Sequence, residues 1–137
     1  MADAPGETDL HALLAAMTPR LRGAEYLFCR LIPGKRLPDG VVTLATFEED
    51  EGTTAIVERA RAERAGLDGV GPFAMITLEV DSSLEAVGFL AAVARVLADA
   101  GIPSNAVAAY HHDHLFVPAA RAEDAMRVLV TLSAQAG

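Results

Sequence analysis

The sequence of 137 residues contains a single cysteine, Cys29. One thiol cannot form an intrachain disulfide, and it cannot supply the several thiolates of a cysteine zinc site. Cys29 lies in the middle of a predicted strand, with no helix N-terminus within sequence reach to activate it. We therefore expect a structural, unreactive residue.

Basic residues are also scarce, since 11 Lys and Arg stand against 19 Asp and Glu, for a net charge of −8. A nucleic-acid backbone would be repelled by this charge, and the sequence shows no stripe of basic residues with interleaved aromatics. We therefore expect no nucleic-acid partner.

Long apolar runs are missing, although 52% of the residues are hydrophobic. No run approaches the roughly 18 residues that a membrane span requires, so no membrane partner is expected. The first residues, MADAPGETD, are acidic and polar, unlike a signal peptide. These features predict a cytoplasmic protein.

Catalytic signatures are absent as well. The sequence contains no GxSxG, no phosphate-binding glycine loop, no HExxH and no dinucleotide fingerprint. We therefore predict no catalytic residues, no cofactor and no enzymatic activity.

The first half of the chain is predicted to run helix, three strands, helix. Asp9 can cap a short helix, ended by Pro19, whose apolar face carries Leu10, Leu13, Leu14 and Met17. Arg22-Gly23 is predicted to turn the chain into the first strand. The later elements are strands 25–32, 41–48 and 53–57, a helix from residue 58 stopped at Gly66, and a link at 68–72.

Strand 25–32 is apolar on both faces, with Tyr26 and Phe28 on one and Leu27 and Cys29 on the other. A two-layer fold leaves one face of its sheet open. The pattern therefore predicts that another half of the chain, or the second subunit of a homodimer, covers this strand.

The second half is organised around residues 73–118. Strand 73–80 is followed by a helix for which Ser82 and Glu85 form a capping-box pattern and which Gly101 ends. Strands 106–110 and 114–117 follow, with His112-Asp113 as their turn. A last amphipathic helix carries Ala122, Ala125, Met126, Leu129 and Val130.

These elements predict an α+β protein of two ferredoxin-like halves, 1–70 and 71–137, with antiparallel sheets and helices on one face. The helix between strands 73–80 and 106–110 is long enough for a crossover, so these strands are expected to be parallel neighbours. The sequence leaves open which half owns strand 73–80.

The run SSLEAVGFLAAVARVLADAGIPSNAVAAYHHDHLFVP resembles a family of small bacterial proteins built from paired ACT-type domains, largely of unassigned function. The segments GAEYLFCRLIPG and LATFEEDEGTTAIV resemble the first half of that family. The resemblance implies a regulatory module that binds a small effector, often an amino acid, at an interface.

The candidate ligand site is the loop between strand 73–80 and the following helix. A helix N-terminus favours a carboxylate or phosphate, and the hydroxyls and carboxylate of the loop suit an amino acid. The predicted ligand residues are Asp81, Ser82, Ser83 and Asn105. In this reading Ser82 caps the helix and the Ser83 hydroxyl faces the ligand. The alternative is that all four serve local structure only, and the protein is then an assembly module that forms dimers without a small ligand.

Three histidines, His111, His112 and His114, cluster around Asp113. A turn at His112-Asp113 would set His111 opposite His114 and point His112 elsewhere, so only two ligands would converge and no metal site is expected. We predict a hydrogen-bonded structural cluster, with Asp113 as a turn former.

Overall fold

The computed structural model describes residues 9–137, which form four α-helices, a short 3-10 helix and six strands. In chain order these elements are α1 (Leu10–Ala16), β1 (Thr18–Leu31), β2 (Ala45–Glu49), β3 (Gly52–Glu58), α2 (Arg59–Arg64), β4 (Gly69–Glu79), α3 (Phe89–Asp99), β5 (Asn105–Ala108), β6 (Asp113–Pro118), the 3-10 helix Ala119–Arg121, and α4 (Ala122–Ala136). This order confirms the predicted element content of both halves.

The strands form one sheet in the order β2-β3-β1-β4-β6-β5. The pairs β1–β3, β2–β3 and β5–β6 are antiparallel. The sheet and its helices confirm the predicted α+β fold. Strand β4 lies between β1 and β6, so it pairs with one strand from each predicted half.

The expectation that strands 73–80 and 106–110 are parallel neighbours is wrong, because β6 lies between β4 and β5. The physical reason is burial. Leu115, Phe116 and Val117 of β6 are each at most 1% exposed, whereas every residue of β5 is exposed. The strand with the larger apolar side chains takes the inner position, and the short strand of small, exposed residues takes the edge, as edge strands are commonly short.

Helix α1 begins as the sequence predicts. The Asp9 carboxylate accepts a hydrogen bond from the Ala12 amide at 2.8 Å, which satisfies one of the free donors of the first turn. Leu13, Leu14 and Met17 are buried behind it. The following strand, however, starts at Thr18, so Arg22-Gly23 is not a turn.

Residues 69–72 of the predicted link 68–72 are part of β4 rather than a loop. A Cβ at Gly71 would lie 2.9 Å from the carbonyl oxygen of Tyr26, and its φ of +141° disfavours other residues. Glycine is therefore required at this position because two backbones approach closely. In the sequence alone, a glycine of this kind looks the same as a glycine in a loop.

Helix α3 starts at Phe89, seven residues after Ser82, its predicted N-cap. Its N-cap is Gly88, with φ of 92°, so Ser82 and Glu85 form no capping box at this helix. Leu84 and Val87 are 68% and 84% exposed, although their spacing is helical. The helix ends before Gly101, whose positive φ confirms the predicted stop.

The β5–β6 connection also differs from the prediction. The turn is formed by residues 109–112, closed by a hydrogen bond from the Ala109 amide to the His112 carbonyl at 3.0 Å. Val107 lies opposite His114, and Ala108 opposite Asp113. Asp113 is therefore the first residue of β6 and not a turn residue, and His111 does not face His114.

Packing divides the chain into two compact units, each with its own core. Among the described residues, one unit comprises 9–22 with Met75–Gly137, and in it α4 packs against α1 and α3. The other is Gly23–Ala74. The core of this second unit consists of Leu27, Cys29, Ala55, Val57 and Ala62. The domain boundary predicted between residues 70 and 71 stays a prediction.

Both faces of β1 carry buried side chains in the second unit, as expected from its composition. Ala62 of α2 belongs to the same core as Leu27 and Cys29, so α2 covers that face. On the other face Tyr26 is 7% exposed, and the rings of Phe28 and Phe73 meet edge to face at 5.2 Å.

In residues 9–137, no helix is long and apolar enough to cross a membrane.

Candidate functional site

A pocket of about 140 Å³ lies within the unit that contains Met75–Gly137. Three elements form it: the loop between β4 and α3, the first turn of α3, and the β5–β6 hairpin. Its described lining residues are Ser82, Ser83, Leu84, Ala86, Phe89, Leu90, Ala108, Ala109 and Asp113. The pocket therefore combines an apolar interior with two hydroxyls and one carboxylate.

The structure brings two of the four predicted ligand residues to this pocket. Ser82 and Ser83 line it. Asp81 is exposed and lies outside its described lining, and Asn105 sits at the start of β5, opposite Phe116. The assignment of these four residues to a ligand stays a prediction, and Ser82 and Ser83 are the pair that share a cavity.

The loop that carries Ser82 and Ser83, here called the serine loop, is held by hydrogen bonds to its own backbone. The Ser82 amide donates to the Val80 carbonyl at 2.9 Å, and the Ala86 amide donates to the Ser83 carbonyl at 3.0 Å. The Ser83 hydroxyl oxygen accepts from the Glu85 amide at 3.0 Å. A hydroxyl that accepts in this way still has a proton to donate, so Ser83 can hold the turn and contact an anionic group together.

Asp113 is the site residue that sequence reasoning missed. It lines the pocket from the first position of β6 and is half-buried. Burial raises the pKa of this carboxyl, and the neighbouring His114 and His112 oppose the rise. Within residues 9–137, its side chain has no hydrogen-bond or ion-pair partner.

A sequence signal for Asp113 does exist. Alternation along a strand places Asp113 on the same face as Leu115 and Val117, which are 1% and 0% exposed. A carboxylate in register with a buried apolar face is unusual, because Asp is rarely buried without a partner. This alternation was not recognised in the sequence because Asp113 was assigned to a turn and not to the strand.

Two histidines of the cluster bond to β4 and the residue that follows it. The His112 Nδ1–H donates to the Val80 carbonyl at 3.2 Å, which also accepts the Ser82 amide. His114 Nδ1 lies 3.0 Å from the Thr77 hydroxyl. Burial lowers the pKa of His114, as do the positive charges of His112 and Arg22, and Asp113 opposes them.

The histidines do not converge on one point. His111 is exposed and meets the ring of Tyr110 edge to face at 4.9 Å. Among residues 9–137, no group of three or more His, Cys, Asp or Glu side chains is placed to hold a metal ion. The arrangement of His112 and His114 instead fastens the hairpin beside the serine loop.

Cys29 is buried in the other unit. Burial raises the pKa of its thiol, with a further contribution from the charge of Asp68. A raised pKa keeps the thiol protonated at neutral pH, which makes it a poor nucleophile.

Two family models of the ACT domain match the sequence, one over residues 5–74 and the other over residues 71–131. The first alone spans half of the sequence. The chain therefore belongs to the ACT domain family and carries two ACT domains in tandem.

Solved structures show the same fold. A Vibrio cholerae protein of unknown function, described as a possible transport protein, is 40% identical, with a TM-score of 0.81 over 90% of this chain and 95% of its own. A protein from Agrobacterium tumefaciens is 17% identical, with a TM-score of 0.72 over 85% and 89% of the two chains.

The ligand-free regulatory subunit of aspartate kinase from Thermus thermophilus is 13% identical. Its TM-score is 0.67 over 87% of this chain and 97% of its own. This chain is thus similar in fold to a regulatory subunit. None of the functionally curated proteins matches the sequence.

Proposed function

We propose that this protein is a regulatory ACT-domain protein that binds a small ligand, with amino acids as the first class to test, and has no catalytic activity of its own. Its proposed location is the cytoplasm. The observation that carries the proposal is the pocket, in which Ser82 and Ser83 face a cavity that also contains Asp113. Hydroxyls and a carboxylate around an apolar interior can bind both polar ends of an amino acid.

The fold adds support, because a regulatory subunit of aspartate kinase shares it. Fold alone is a weak reason for a function, so the proposal depends on the pocket. The histidine contacts support it further, since His112 bonds to the Val80 carbonyl that also accepts the Ser82 amide. A ligand that moves the serine loop would therefore also act on the hairpin.

The test is a thermal-shift panel of the common amino acids. A ligand at about a hundred times its dissociation constant stabilises the fold by roughly 2.7 kcal/mol. For a chain of this size that corresponds to a rise of about 5–10 °C in melting temperature. One or a few amino acids should produce this rise, and a panel without any shift would contradict the proposal.

The second candidate is an assembly module that forms homodimers without a small ligand. The observation that favours it is Phe47, which is 72% exposed on β2, an outer strand of the sheet. Outer strands present unpaired backbone groups, and an apolar side chain there favours association. Light scattering should then show a dimer, and Phe47→Lys should shift that dimer to monomer. The interface of such a dimer should bury more than about 1,000 Å² of surface.

A further inference from the structure

Another pocket, of about 240 Å³, lies in the unit Gly23–Ala74. One of its walls is the turn Pro38–Val41, and the other is the C-terminal part of α2. The helix contributes Arg61 and Arg64 to the described lining, and the turn contributes Asp39. Two guanidinium groups and one carboxylate therefore border the pocket, and positive charge prevails in its lining.

The turn is anchored on the core of this unit. The Val41 amide donates to the Pro38 carbonyl at 3.3 Å, which closes the turn. On either side of it, Leu37 and Val41 pack against the core to which Ala62 of α2 also belongs. The turn is therefore held beside the helix, so the wall opposite the arginines is part of the fold.

The carboxylates next to these arginines are already paired. Glu58 accepts from the Nε of Arg61 at 3.0 Å. Glu63 accepts from the Nε of Arg59 at 2.9 Å. Arg64, by contrast, forms no hydrogen bond or ion pair within the part of the chain that the structure describes. The bond to Glu58 uses only one nitrogen of Arg61, so the pocket offers guanidinium donors that no carboxylate of its own unit occupies.

A single exposed arginine would be an ordinary surface residue, but here two share one wall of a pocket. Residues three apart on a helix are neighbours, so Arg61 and Arg64 place two like charges side by side, and an anion between them would offset their repulsion. The carbonyls of residues 61–63 already accept from the amides of residues 65–67. The helix end therefore presents donors to the pocket, and the acceptors that a cation would need are engaged.

We propose that this pocket binds a small oxyanion, the carboxylate of an organic acid or the phosphate of a phosphate ester, between Arg61 and Arg64. The planar guanidinium group matches both kinds of oxygen with paired hydrogen bonds. Asp39 on the opposite wall can accept from a hydroxyl of the same ligand. The site lies in a different unit from the serine loop, so the inference goes beyond the proposed function and does not depend on it.

The volume limits the size of the ligand. The pocket of about 240 Å³ is larger than the roughly 150 Å³ cavity that holds benzene in an engineered protein. A molecule of about ten heavy atoms therefore fits, in proportion to the six of benzene. A nucleotide or a longer chain would have to extend out of the pocket.

The experiment is a two-dimensional amide NMR titration of the full chain, at constant pH and ionic strength, with two probes that carry no amino group. Inorganic phosphate represents the phosphate source and succinate the carboxylate source. At least one should produce saturable shifts concentrated in residues 39–41 and 61–65, and the tighter binder identifies the source. No saturable shift with either probe, or shifts concentrated outside these segments, would overturn the inference.

A variant pair tests the protein side of the contact. Arg64→Gln removes one guanidinium without breaking a described hydrogen bond or ion pair, so the fold should be kept. Binding of the tighter probe should weaken about ten-fold or more, because charge-assisted hydrogen bonds are lost. Arg95→Gln is the matched control, because it removes an equal charge from an exposed position of α3 in the other unit and should leave the affinity unchanged.

A thermal melt of each variant verifies that it folds. Undiminished affinity in Arg64→Gln would overturn the inference. An equal loss of affinity in Arg64→Gln and Arg95→Gln would also overturn it, because the loss would then follow the net charge of the chain and not this pocket.

Discussion

The Nδ1 atom of His114 on β6 lies 3.0 Å from the hydroxyl of Thr77 on β4. Thr77 is 2% exposed, so this hydroxyl has little access to water. We expect Thr77→Val to destabilise the protein by about 1–3 kcal/mol, because it leaves the half-buried His114 nitrogen without its partner. Thr46→Val, on an exposed position of β2, should stay within about 0.5 kcal/mol. Urea unfolding of both variants measures the difference, and equal midpoints would contradict a stabilising role for the contact.

The same histidine predicts how stability depends on pH. The pKa of His114 is lowered from 6.5 by burial, by His112 and by Arg22, against the effect of Asp113. The unfolded chain therefore binds a proton at a higher pH than the folded protein does. The contribution of His114 to the free energy of unfolding is complete above pH 6.5 and is lost as the pH falls below that value.

The measurement is the unfolding free energy at pH 7.5 and at pH 5.5. The native protein should lose more stability between these values than His114→Gln does. A loss of the same size in both proteins would show that His114 does not cause it.

The two serines of the pocket should behave differently when truncated. The Ser83 hydroxyl accepts from the Glu85 amide, so Ser83→Ala should lower stability by about 0.5–1 kcal/mol. The Ser82 hydroxyl has no hydrogen-bond partner in residues 9–137, so Ser82→Ala should change stability little. This order reverses the one that the predicted helix cap implies. Ser82→Ala is therefore the cleaner test of ligand binding, and a larger stability loss than that of Ser83→Ala would refute this account of the loop.

A glycine pair tests the close approach of β1 and β4. Gly71→Ala should cost about 1–3 kcal/mol, because its Cβ would lie 2.9 Å from the Tyr26 carbonyl oxygen at a φ of +141°. Nothing lies within 4 Å of a Cβ at Gly23, so Gly23→Ala should be close to neutral. Similar melting temperatures for the two variants would argue against tight packing of these strands.

Local patterns predicted the fold well where one residue decides one feature. Asp9 caps α1, and the positive φ of Gly101 follows the end of α3. The start of α3 could not be predicted from apolar spacing. Leu84 and Val87 have the spacing of a helix face, but both are exposed and lie before the helix. The chain enters the helix only after Gly88, whose left-handed backbone breaks the run.

The strand order and the composition of the site depended on which of two distant segments, β5 or β6, pairs with β4. A crossover between 73–80 and 106–110 was compatible with the sequence, but the apolar side chains of β6 take the inner place in the sheet. Register then decides the site, because pairing Ala108 with Asp113 moves that carboxylate out of the turn. A shift of two residues in a predicted turn was enough to hide it.

The most direct test of the central claim is a two-dimensional amide NMR titration of the full chain. The titrant is the amino acid that gives the largest thermal shift, or L-alanine if none does. The account predicts saturable changes concentrated in residues 82–90 and 108–113, with the Asp113 amide among them. Spectra that do not change, or changes concentrated in residues 38–65 of the other unit, would contradict ligand binding at this pocket.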